Sequence, residues 1–133
     1  MIDAAAHANS SEHTYPLDAP IRDKVQAIAT RVYGADNVHF LPVAEQKIAR
    51  FAEQGLGELP ICMAKTHLSL SDDPTLLNAP TGFTVHVRDV RAYTGAGWLV
   101  PLCGEIMTMP GLGRKAAAFD VDIDDDGRTV GLF

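Results

Sequence analysis

The densest group of side chains able to do chemistry is Lys65, Thr66, Ser69, Ser71, Asp72 and Asp73. One cation, three hydroxyls and two carboxylates within nine residues offer both donors and acceptors to a polar ligand. They follow an apolar run, Leu59–Ala64. In α/β sheets ligands gather at the carboxyl ends of strands, so the position suits a cleft. Serine and aspartate also cap turns through neighbouring amides. Both readings stand, and Lys65, Thr66, Ser69, Asp72 and Asp73 are the cleft-facing candidates.

Three other constellations are weaker. Cys62, Lys65 and His67 suggest a thiol nucleophile with a base, but strand alternation would turn Cys62 away from the other two. Asp122-Ile123-Asp124-Asp125-Asp126-Gly127 matches the opening of a calcium loop. That loop needs a bidentate Glu at its twelfth position, and the residue there is Phe133. The Asp-Gly pair between Phe119–Ile123 and Thr129–Phe133 instead reads as a β-hairpin turn. Gly111-Leu112-Gly113-Arg114-Lys115 could cradle an anion or be a tight structural loop, but no Gly-Lys-Ser/Thr triplet of a phosphate loop occurs in the sequence. The five histidines (7, 13, 39, 67 and 86) are scattered without metal-ligand spacing. No catalytic residue and no metal ligand is assigned.

The elements that must position these residues follow from periodicity. Ile21, Val25, Ile28, Ala29 and Val32 share a helical face after Pro20, with Gly34 as C-cap, predicting a helix over 20–33. Pro42 opens a second helix carrying Val43, Ile48, Phe51 and Ala52, stopped by Gly55 and Gly57. Each is expected to run about four turns. Leu59–Ala64 reads as a strand buried on both faces. Phe83, Val85 and Val87 alternate with polar residues as a half-buried strand, and Trp98–Cys103 is a further apolar run. Met107–Gly113 is a loop with an unusual backbone path. Residues 1–15 read as a flexible or extended segment, and 16–133 as one α/β domain.

Composition fits a packed domain, with 47% apolar and 21% charged residues. A net charge of −6 without a Lys/Arg cluster argues against nucleic acid or an anionic membrane as partner. Cys62 and Cys103 lie in apolar runs and are expected to be buried, reduced thiols. No stretch approaches the roughly 20 apolar residues of a membrane span, and no signal segment is seen. The expectation is a cytoplasmic protein.

Several runs carry a wider resemblance: Leu17–Ile21, Val32–Asp36, Leu59–Thr66, Leu70–Pro74, Gly95-Ala96-Gly97, Met107–Leu112 and Gly131-Leu132-Phe133. In this order they resemble the C-terminal stretch of formate–tetrahydrofolate ligases, over essentially the whole chain. Local departures are His67-Leu68 where many relatives carry Gln-Tyr, Trp98 for Phe, and Gly113 for Pro. The resemblance implies the C-terminal portion of a larger P-loop-type α/β ligase that makes 10-formyltetrahydrofolate from formate, tetrahydrofolate and ATP with Mg²⁺. It also implies that the phosphate-handling residues lie upstream, so that this chain alone is incomplete and inactive and binds none of these ligands tightly. The implied partners are the N-terminal ligase portion, in the same or a separate chain, and further copies in a homo-oligomer. The alternative is a non-catalytic assembly module that pairs with a separate N-terminal ligase chain. A piece of a larger fold should expose an apolar patch, expected on helix 20–33 or strand 59–64.

Overall fold

The computed structural model describes residues 13–106 and 119–131. The Met107–Gly113 loop, the Gly111–Lys115 run and most of the N-terminal segment therefore lie outside the described residues. Helix α1 spans Ile21–Arg31 and α2 spans Pro42–Glu53. Pro42 sits in the first turn of α2, where its missing N–H costs no helical hydrogen bond. Both helices carry an acid in the first turn (Asp23, Glu45) and an arginine in the last (Arg31, Arg50), matching the helix dipole. Gly34 and Gly55 take φ of +75°, the left-handed conformation in which the chain leaves each helix.

Each helix has about three turns rather than the four expected. The buried faces are also narrower. In α1, Ile21, Val25 and Ala29 are buried, whereas Val32, beyond the helix end, is exposed. In α2, Ala44 and Ile48 are buried with Phe51 packed behind them, while Val43 and Ala52 face outward. Val43 lies about 100° from Ala44 around the helix, so both cannot share a narrow stripe.

The sheet has three strands in the order β1 (Asn37–Phe40), β2 (Thr84–Tyr93) and β3 (Trp98–Cys103). β1 is parallel to β2 and β3 antiparallel to it. The expected alternation holds at Phe83, Val85 and Val87, but β2 runs on to Tyr93. It does so through a bulge: Val87 opposes Cys103 and Asp89 opposes Leu102, leaving Arg88 as the extra residue. The bulge shifts the inward phase from odd to even positions, so Val90 is buried where strict alternation would bury Asp89. The helices cover this apolar face, and Ile21, Val25, Ala44, Ile48, Val85, Val87, Val90 and Leu99 form one core. Each fully buried valine there contributes about 1.5–3 kcal/mol.

Residues 59–64 depart from expectation. They lie along β3 in parallel, joined by bridges Ile61–Leu99 and Ala64–Leu102, but form an edge segment rather than a strand buried on both faces. Ile61 points into the core and Cys62 outward, so Cys62 is exposed and only Cys103 is buried. The segment is held from its other side as well. The Ile61 N–H donates to the Tyr15 hydroxyl at 2.8 Å, and Lys24 Nζ donates to the carbonyls of Gly57 and Leu59 at 2.7 and 3.2 Å.

The acidic tail forms the expected hairpin, with β4 (Asp122–Ile123) antiparallel to β5 (Thr129–Val130). Asp124 Oδ1 accepts the N–H groups of Asp126 and Arg128 at 3.0 and 2.8 Å, and Gly127 takes φ of +76°. Its carboxylate shapes the turn. Among the described residues no helix is long and apolar enough to cross a membrane.

Candidate functional site

After residue 64 the chain leaves the sheet edge and folds back in a loop closed by two backbone bonds. Leu70 N–H donates to Asn78 O at 2.8 Å, and Asn78 N–H to Leu68 O at 3.0 Å. Lys65 Nζ donates to the carbonyls of Thr66 (3.0 Å) and Ser69 and lies 5.0 Å from the centre of the Tyr33 ring. Burial pulls its pKa below the usual lysine value, with the nearby Cys103 and Asp72 opposing. Thr66 Oγ1 accepts the Leu68 N–H. The Ser69 and Ser71 hydroxyls lie 2.8 Å apart, and Ser71 Oγ donates to Asp73 O while accepting the Asp73 N–H. Lys65, Thr66 and Ser69 thus brace the loop from within.

Asp72 and Asp73 stand elsewhere. With Ser71, Pro74 and Leu76 they form one wall of a cleft of about 520 Å³, whose other wall is Gly82–Thr84, His86 and Glu105. Asp73 Oδ1 accepts both the hydroxyl and the N–H of Thr75, at 2.7 and 2.8 Å, and these bonds hold its carboxyl below the usual pKa. Asp72 reaches across to β2. Its Oδ2 accepts the His86 backbone N–H at 3.1 Å and lies 3.0 Å from His86 Nδ1. In the neutral ring this contact favours the proton on Nδ1, leaving Nε2 as an acceptor.

The two walls are locked together at Gly104. Its N–H donates to His86 O at 3.0 Å, its φ is +62°, and a Cβ there would stand 2.4 Å from Asp72 O. Only glycine lets the end of β3 pass so close to the Asp72 loop.

Among the described residues, the ionisable side chains lining this cleft are three carboxylates and an imidazole. The cleft suits ligand edges rich in hydrogen-bond donors and opposes anions. His86, Thr84, Gly104 and Glu105 were not marked by their sequence pattern. Asp72 and His86 are fourteen positions apart and meet only through the fold. The one local cue was a glycine directly after an apolar strand, at Gly104.

Comparison with known proteins adds identity to this geometry. The family model described as formate–tetrahydrofolate ligase matches residues 1–133. The formate–tetrahydrofolate ligase of Saccharopolyspora erythraea is 52% identical over 132 residues, covering 99% of this chain and 23% of the relative. That of Desulforamulus reducens is 56% identical over 119 residues (90% and 21%), and that of Cutibacterium acnes 47% over 133 residues (100% and 24%). The chain thus spans less than a quarter of the length of these relatives.

Proposed function

Because the chain belongs to the formate–tetrahydrofolate ligase family, we propose that it supplies the C-terminal α/β portion of such a ligase. The reaction joins formate to tetrahydrofolate at the expense of ATP, giving 10-formyltetrahydrofolate, ADP and phosphate in the cytoplasm. The observation that carries this reading is a match along the whole chain to less than a quarter of each relative.

The described residues do not fit MgATP. Asp72, Asp73 and Glu105 would repel a triphosphate, and among the described residues no Lys or Arg lines the cleft to offset them. Among the described residues no three His, Cys, Asp or Glu side chains are placed to hold a metal ion. On this reading, phosphoryl chemistry is carried by the remainder of the ligase. This chain's part is to provide the cleft in which Asp72 orients His86, open to completion by the remainder of the ligase, and to pack the subunits.

The test is an assay for 10-formyltetrahydrofolate from formate, ATP and tetrahydrofolate. The purified chain is expected to give no turnover, and co-expression with the remainder of the Saccharopolyspora erythraea ligase is expected to give turnover. Product from the 133-residue chain alone would overturn the claim that it is incomplete. A stable complex with no turnover would favour the alternative, a non-catalytic assembly module.

A further inference from the structure

The loop behind the cleft is inside out. In Leu68-Ser69-Leu70-Ser71 the serines are 5% and 1% exposed, while the leucines are 46% and 37% exposed. Ordinary burial would reverse this, because a buried hydroxyl needs a partner and an exposed leucine forfeits about 25 cal/mol per Å² of apolar surface. The inversion is fixed by the bonds already described. Ser69 and Ser71 bond each other, Ser71 bonds the Asp73 backbone, and Lys65 holds Ser69 O. The leucines cannot turn inward without breaking that network. Two more, Leu76 (43%) and Leu77 (60%), are exposed on the same loop. Four exposed leucines thus fall within ten residues. Apolar residues so concentrated mark a contact surface rather than scattered exposure. Among the described residues, this loop holds four of the five exposed leucines, the fifth being Leu17, while Val32 is exposed at the end of the 20–33 segment.

We propose that the loop bearing Leu68, Leu70, Leu76 and Leu77 is the surface on which the remainder of the ligase polypeptide seats. This rests on the family reading above. The relatives hold more than three-quarters of their length outside the matched region, ample chain to cover the loop. Leu76 also lines the Asp72–His86 cleft, so a polypeptide docked on the leucines closes that cleft. Charge argues against a second copy as the occupant. The leucines flank Asp72 and Asp73 on a chain of net charge −6, and face-to-face pairing would oppose like charges. The complementary surface is an apolar pocket with a basic rim.

The experiment uses the full 133-residue chain, affinity-tagged and co-expressed with the Saccharopolyspora erythraea ligase lacking its matched region. A variant carrying Leu68→Ser, Leu70→Ser and Leu77→Ser is compared with Leu77→Glu alone and with Leu17→Ser, an exposed leucine elsewhere. Circular dichroism melts verify that each folds. The parent and Leu17→Ser are expected to capture the ligase remainder, and both loop variants to lose at least about tenfold in recovery, as central apolar anchors do. Capture by both folded loop variants within twofold of the parent overturns the docking surface and leaves the family reading intact. Failure of the parent itself to capture overturns both. A parent dimer in sedimentation that Leu77→Glu dissociates overturns the choice of occupant.

Discussion

Cys62 and Cys103 illustrate how one pleat separates two chemically identical groups. Cys62 lies on the outward face of an edge segment, and Cys103 at the inner end of β3. Burial pushes the Cys103 thiol from 9.0 up to about 12, with nearby Asp72 adding to the rise and Lys65 opposing it. At pH 8 a thiol reagent should therefore modify Cys62 alone, and both cysteines after denaturation. A native Cys62→Ser chain that still reacts would contradict this placement. The pH dependence follows from the direction of the shift. A thiol whose folded pKa is raised stabilises the fold fully below its ordinary value and loses that contribution as pH rises toward the folded one. Thermal stability should fall between about pH 9 and pH 12, and Cys103→Ala should flatten that decline in melts across the range. Lys65, placed among the candidate ligands by its neighbours in sequence, is occupied with loop carbonyls and the Tyr33 ring.

At the level of elements, the crossing of β3 and the Asp72 loop depends on one missing methyl group. Gly104→Ala combines a left-handed backbone with a close approach to Asp72 O, and should cost about 2–5 kcal/mol. Chemical denaturation would measure it, and a loss below 1 kcal/mol would mean that the walls separate easily. Helices were legible because their signals are local: Pro42 opens α2, Gly34 and Gly55 turn the chain out, and the 3.6-residue period is short-ranged. The first half of β2 was legible from alternation. Its second half was not, because the bulge at Arg88 changes phase and breaks the period on which a strand is read. The 59–64 run misled for a related reason. An apolar stretch says that a segment joins a core, and only the neighbouring strands decide whether one face or two are covered. The candidate site was half legible. Asp72 and Asp73 were marked by clustering, whereas His86 and Glu105 arrive from the distant ends of β2 and β3.

For the molecule as a whole, the β2–β3 hairpin is local, but the other pairings of the main sheet join distant parts of the chain. Asn37–Phe40 pairs with Thr84–Val87, and Ile61 with Leu99. Helices of eleven and twelve residues are marginal without tertiary packing. A chain stopping at residue 97 lacks β3, and with it the partner of both β2 and the 59–64 segment. It should show no cooperative melt by circular dichroism, and a sharp transition would mean that β1, β2 and the helices form a nucleus by themselves. The same topology governs synthesis. Glu53, the last residue of α2, precedes Cys103, the last of β3, by fifty positions. At 5–20 residues per second the ribosome takes roughly 2.5–10 s to cover that interval. For those seconds Ile21, Val25 and Ile48 have no completed sheet to pack against. The placement of β3 near the end of the core makes the newborn chain a client for whatever chaperone meets it first.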